Sequence, residues 1–159
     1  MSPREYEIVQ NPALGACVLW HYTKSFMDET GQRHGPSLLQ TMPVLPLVFH
    51  EDTTDGLGRR RFDGGLYTAL AADRTLFVGL QKRLEDMAPQ TFRALHLAFG
   101  SGLLAYDRET GELHRVPRVP APAANDEAVR LMFSTAQRLG HWFAAGSAAE
   151  MLKRLQIDL

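Results

Sequence analysis

The chain is poor in most of the features that mark a catalytic, secreted or membrane function. One cysteine, Cys17, occurs in 159 residues, so neither an internal disulfide nor a paired-thiolate metal site can be built within the chain. Cys17 also lies in the apolar run 13–20, a setting that disfavours the reactive thiolate form. No apolar run approaches the roughly 20 residues that span a bilayer. The N-terminal segment Met1 to Glu7 carries acidic residues and lacks the apolar stretch of a secretion signal. A cytoplasmic protein, neither secreted nor membrane-embedded, is the expectation. An excess of one charge is missing as well: 17 Lys+Arg stand against 18 Asp+Glu, a formal net charge of −1, so no global field draws the chain to nucleic acid or to an anionic membrane.

Chemistry-bearing motifs are equally scarce. The six histidines, His21, His34, His50, His96, His114 and His141, are scattered without H-E-x-x-H or any other metal-ligand spacing. Gly56-Leu-Gly58 followed by arginines lacks both the Walker frame and the third glycine of a dinucleotide fingerprint. Ser101 and Ser134 have no nucleophile-elbow context. The expectation is therefore no catalytic residue, no metal, no cofactor and no enzyme activity.

Helical periodicity is abundant. Asn11-Pro12 makes a strong helix start, since the Asn side chain accepts from free backbone N–H groups and proline at the next position gives up no useful donor. Leu14, Val18, Tyr22 and Phe26 then recur along one face as far as Asp28. Pro43 and Pro46 divide the apolar stretch 38–49 into two helical pieces. The stretch 51–65 is polar, glycine-rich and without periodicity, which predicts an exposed connection. A short helix over 66–72 is followed by one capped at Asp73 that carries Leu76, Phe77, Leu80, Leu84 and Met87. Pro89 then begins a third, with Phe92, Leu95, His96 and Phe99 on one face.

Residues 103–106 and 113–116 flank a turn in which Gly111 supplies positive φ, a β-hairpin within 102–117. Helix, helix, helix, hairpin is the order of a winged helix-turn-helix. Pro117, Pro120 and Pro122 predict a stiff extended connector. Asn125 caps a helix striped by Val129, Met132, Phe133, Ala136, Leu139 and Phe143, and Ser147 with Glu150 fits a capping box for a last one. The fold expected is mainly α with a small β-hairpin: a winged-helix-like core over 66–117, N-terminal helices over 11–50 and C-terminal helices over 125–159, all in one domain.

Surface function has a few candidates. Arg59, Arg60 and Arg61 offer planar guanidinium groups to phosphates or an acidic partner, and Arg115 and Arg118 add positive charge at the hairpin. Asp107, Glu109 and Glu112 oppose it at the hairpin tip, where a wing entering a DNA groove would bring carboxylates against phosphates. Residues 89–99, the recognition helix of such a reader, carry Gln90, Arg93 and His96 as their main polar positions, too few cations for a DNA-reading face. Trp20, Trp142 and Phe143 are candidate aromatic anchors for a protein partner, or simply core.

Together, the Asn11-Pro-Ala-Leu14 opening with Trp20, the segment Leu45-Pro-Leu-Val-Phe-His50 and the segment Arg138-Leu-Gly-His-Trp-Phe-Ala144 resemble the middle component of ABC three-component systems. The likeness runs over nearly the whole chain and departs from the pattern in the loop 56–65. It implies a non-enzymatic accessory subunit between an SMC-like ABC ATPase and an effector such as a nuclease, in Lamassu-like systems that act against phage or plasmid DNA. DNA contact would then be weak or indirect, and no catalytic residue is carried over. The competing expectation is a stand-alone winged-helix regulator that binds DNA through residues 89–99 and the hairpin; a small hydrolase is a third, without a nameable nucleophile.

Overall fold

The computed structural model describes residues 7, 8, 10–58, 65–72, 75 and 78–158. The first long helix, α1 (Pro12–Glu29), starts as its sequence dictates: Asn11 Oδ1 accepts from the Leu14 N–H at 3.0 Å, and Pro12 occupies the first turn. It ends where the Thr30 N–H donates to the Phe26 carbonyl and the N–H of Gly31, at φ +63°, donates to the Asp28 carbonyl. The expected stripe is too narrow a description of this helix. Residues 18–23 are buried without interruption, so α1 is enclosed on every side, as only a central helix can be.

Two long helices flank it. α6 (Leu80–Gly100) and α7 (Glu127–Phe143) both pack along α1, and small residues set how closely. A Cβ on Gly140 would lie 2.4 Å from the Tyr22 carbonyl oxygen, so α7 rides directly on the α1 backbone there. On the other side Gly15 faces the Ala94 methyl of α6. Polar ties lock α7 in register: Ser25 Oγ donates to the Gln137 carbonyl at 2.6 Å and His141 Nδ1 meets Glu29 Oε2 at 2.8 Å.

The proline-divided stretch does form two pieces, α2 (Leu38–Thr41) and α3 (Val44–Val48). Ser37 and Gln40 make a full capping box at the first of them. The segment after it corrects an expectation. Part of the supposed exposed connection is a helix, α4 (Glu51–Leu57), with Thr53, Thr54 and Leu57 buried. Its apolar content is low, but Thr54 Oγ1 donates to the Val48 carbonyl, and the Gly58 carbonyl accepts from Ser134 Oγ of α7 at 2.8 Å. Tertiary packing supplies what periodicity did not.

A short helix, α5 (Gly65–Ala72), follows as expected; Asp73, Leu76 and Phe77 lie outside the described residues. Pro89 corrects a second expectation, because it begins no new helix. It sits inside the 21-residue α6, on the exposed side, where the carbonyl left without its ladder partner can turn to water. The buried face of that half is Thr91, Ala94, Leu95 and Ala98, while Phe92, His96 and Phe99 face out. The three-helix order expected before the hairpin thus becomes a short helix and one long one.

The hairpin is present. β1 (Leu104–Asp107) and β2 (Glu112–Arg115) pair antiparallel with Leu104 opposite Arg115 and Asp107 opposite Glu112. Gly111 takes φ +72°, the conformation the turn requires. Leu104 and Leu113 enter the core, and the Leu113 N–H donates to the Pro36 carbonyl at 2.8 Å, so the α1–α2 connection closes the outer edge of β2. α7 is capped by Asp126, one residue later than expected, its Oδ1 accepting from the Val129 N–H at 3.1 Å. α8 (Ala148–Arg154) begins at Ser147, whose hydroxyl accepts from the Glu150 N–H. The chain end then returns to the start of α6 through a paired contact between Gln81 and the Asp158 backbone. All the long elements share one hydrophobic core.

Candidate partner-binding surface

Most of the polar side chains that invited a chemical reading are fastened into the fold. His21 is buried and stacked on Phe133, centroids 4.3 Å apart. Its Nε2 donates to the Pro122 carbonyl at 2.8 Å and its Nδ1 accepts from Gln137 Nε2 at 3.2 Å. That pair of bonds specifies the neutral ring, and burial together with nearby Lys24 lowers its pKa despite the Pro122 bond. The extended proline connector is thereby pinned to α1 and α7.

A second cluster gathers at the hairpin. Glu112 Oε1 accepts from His34 Nδ1 at 3.0 Å, and Glu112 Oε2 accepts from His114 Nε2 at 3.1 Å and from the Gly35 N–H at 3.3 Å. Partial burial works against its charge, but the two imidazoles and the amide outweigh this and hold the carboxyl below its ordinary range. Its geometry braces β2 against the α1–α2 connection. Among the described residues no group of three or more His, Cys, Asp or Glu side chains is placed to hold a metal ion. Cys17 is half-buried and its thiol pKa is pushed up by desolvation, the opposite of an activated nucleophile. A hollow lined by Val48, Phe49, Thr54, Leu131 and Met132 encloses about 60 Å³, well below the volume of an ordinary small-molecule site.

The residues named as surface candidates divide. Trp20, Trp142 and Phe143 are all core residues; Phe143 meets Tyr22 edge-on at 6.0 Å. Helix spacing alone could not separate them from exposed anchors, because α1 is buried all round and α7 on a broad face. Arg59, Arg60 and Arg61 lie outside the described residues. Arg115 is half-buried against α1, its backbone N–H directed at Met27 Sδ. Arg118 is exposed at φ +66° on the connector. The two hairpin arginines therefore do not form one patch with a common environment.

Another set of aromatics is left on the surface. Phe92, Leu97, Phe99 and Tyr106 are 50, 38, 37 and 47% exposed. The positions 92, 96 and 99 follow one ridge of α6 and 93 and 97 the next, as i, i+4 and i+7 spacing requires. Tyr106 stands on the same hairpin face as Leu104 and Leu113, but beyond the edge of the core, and its ring lies 6.4 Å from Phe99. Phe92, Phe99 and Tyr106 thus mark out an exposed aromatic strip across the second half of α6 and β1, with Leu97 on the neighbouring ridge. Scattered single exposed apolar groups are ordinary; several on one face, with Phe99 and Tyr106 in ring contact, make this the candidate interaction surface. The sequence signal for it is the shared face of Phe92, His96 and Phe99; the fourth residue expected on that face, Leu95, is the one that turns inward.

Among the described residues no helix is long and apolar enough to cross a membrane. No curated protein and no solved structure matches the chain. A family model, described as ABC-three component (ABC-3C) system Middle Component 3, matches residues 1–159. A helical chain with a small hairpin, matched from end to end and carrying an uncovered aromatic strip, belongs to the Middle Component 3 family of ABC-3C systems.

Proposed function

We propose that this middle component is a non-enzymatic accessory subunit that joins an SMC-like ABC ATPase to an effector, in a bacterial complex of the Lamassu kind that acts against phage or plasmid DNA. The observation that carries the reading is the aromatic strip of Phe92, Phe99 and Tyr106 outside a core that is already closed. A subunit whose task is binding needs such a face. The histidines and the cysteine support the same reading, because His21, His34 and His114 hold segments together and Cys17 is kept in its thiol form. Membership of a three-component family supplies partners for the face to meet.

The test is co-expression of this chain with the other two components of its own system, followed by native mass determination. The expected result is a complex of defined stoichiometry containing both the chain and the ATPase component. Recovery of the chain alone, with the other components folded, overturns the proposal.

The exposure of Arg93 and His96 on α6 favours one competing reading, a stand-alone DNA-binding regulator that uses this helix and the hairpin. Phosphate contacts release counterions, so that reading requires DNA affinity that falls steeply with salt. Binding of duplex DNA by the isolated chain with such a slope would favour it over the adaptor.

A further inference from the structure

We infer that the aromatic strip on α6 and β1 is the docking site for a segment of a partner protein whose apolar anchors are bordered by carboxylates. The inference rests on the adaptor reading and specifies the surface and the chemistry of its partner. Its basis is an asymmetry of charge around the strip. The sequence contains no carboxylate between Asp86 and Asp107, while Arg93 and His96 fall within that interval. Both are exposed and neither side chain has a hydrogen bond or ion pair with another described residue. Arg108, next to the strip's far end, is likewise exposed and unengaged.

The nearby carboxylates are occupied. Asp107 turns its Oδ1 to the Glu109 and Thr110 N–H groups, and Glu112 is bracketed by His34 and His114. Glu109 alone of the tip carboxylates keeps an exposed side chain without a described partner. Rings flanked by unengaged cations offer burial to an apolar anchor and charge-assisted hydrogen bonds to an acidic rim. The N-terminal half of α6 provides the contrast: Lys82 is paired with Asp86 and Gln81 with Glu85, so that exposed face is internally satisfied. A protein partner is favoured over DNA because rings outnumber fixed cations on the strip, whereas a phosphate-binding face reverses that proportion.

The experiment compares the free chain with the complex it forms with the ATPase and effector components of its own system. Hydroxyl-radical footprinting of the wild-type proteins reads Phe92, Phe99 and Tyr106 individually and needs no variant. Oxidation at all three is expected to fall several-fold in the complex. Phe92→Ser and Arg93→Glu, both at exposed positions, are expected to keep the thermal midpoint and each weaken binding about tenfold or more, while Arg93→Lys retains most of the affinity. If the complex forms but the rings oxidise at the free rate and the variants bind like wild type, the docking site lies elsewhere and this inference falls while the adaptor reading stands. If the rings are protected but Arg93→Glu binds undiminished, the acidic rim is refuted. If no complex forms, the adaptor reading fails and takes the inference with it. Salt-sensitive binding of a short DNA duplex, lost in Arg93→Glu, overturns the inference in favour of nucleic acid.

Discussion

The contact between α1 and α7 is set by one missing methyl group, and Gly140→Ala tests it directly. An alanine Cβ at this position would lie 2.4 Å from the Tyr22 carbonyl oxygen, 2.9 Å from the Phe26 nitrogen and 2.9 Å from Ser25 Cβ. Two of these neighbours are backbone atoms of the central helix, so no rotamer change relieves the crowding. Reaching ordinary contact requires the helices to part by roughly 1 Å. Overpacking of this kind costs about 1–3 kcal/mol, and separation also strains the Ser25 to Gln137 bond, whose net worth is about 1 kcal/mol. Against these stands the higher helix propensity of alanine, a gain of about 1 kcal/mol. The sum is a loss of about 1–3 kcal/mol, or a fall in melting temperature of about 2–12 °C for a chain of this size. Gly100→Ala is the matched control, because a Cβ there meets nothing within 4 Å. Thermal unfolding followed by circular dichroism, with urea unfolding to confirm an unchanged m-value, measures both. The control is expected to be neutral or slightly stabilising. Equal stability of Gly140→Ala and Gly100→Ala would refute the close approach of α7 to the α1 backbone.

Gly35→Ala should be more damaging, since its Cβ would fall 1.7 Å from the Leu113 carbonyl oxygen; the expected outcome is loss of the Pro36–Leu113 backbone bond, seen as accelerated amide exchange at Leu113. Asp126→Ala removes the cap of α7 and should cost about 1 kcal/mol, read as a lower urea midpoint at unchanged m. His21 contributes a pH dependence whose sign follows from its lowered native pKa. Between the depressed native value and the ordinary imidazole value the unfolded chain binds the extra proton, so stability is full above that window and falls as pH drops through it. His21→Phe should flatten this component of a stability–pH profile. Asp107 is held below the ordinary carboxylate range by the Glu109 and Thr110 N–H groups, so carbon-detected NMR should show it titrating at lower pH than an unhindered aspartate.

How much of this was readable from residues alone depends on the range of the interaction. Local signals read correctly: the Asn11-Pro12 start, the two pieces on either side of Pro43, Gly111 in its turn and the Ser147 cap all depend on neighbours within a few positions. Pro89 misled because its cost depends on which side of the helix it occupies. α4 was missed because threonines, not aliphatic side chains, provide much of its buried face, and their partners lie in α3 and α7. The exposure of Phe92 and Phe99 was not legible for a related reason. Periodicity reports that residues share a face, but which face is covered is decided by tertiary packing, here α1 meeting Ala94 at Gly15 with Leu95 and Ala98 also in the core. The His21 clamp and the Glu112 bracket join positions 101 and 78 residues apart, and neither carries a spacing motif.

The hairpin tip bears on the choice between protein and DNA as the partner. Asp107 accepts two backbone N–H bonds that favour its charged form, and Glu112 is likewise kept ionised by the groups around it. Both carboxylates therefore stay negative at neutral pH, and Glu109 adds a third charge beside them. A wing pressed into a groove would carry that charge towards phosphates with only Arg108 beside it at the tip. The α6 side of the same structure is different: Arg93 and His96 project among exposed rings with no carboxylate on their stretch of helix. A uniformly anionic polymer lying across both regions would be repelled at one end of its footprint. A protein can place carboxylates over Arg93 and a neutral or cationic side chain over the tip, and that freedom to match opposite charges over a short distance is what this surface demands of its partner.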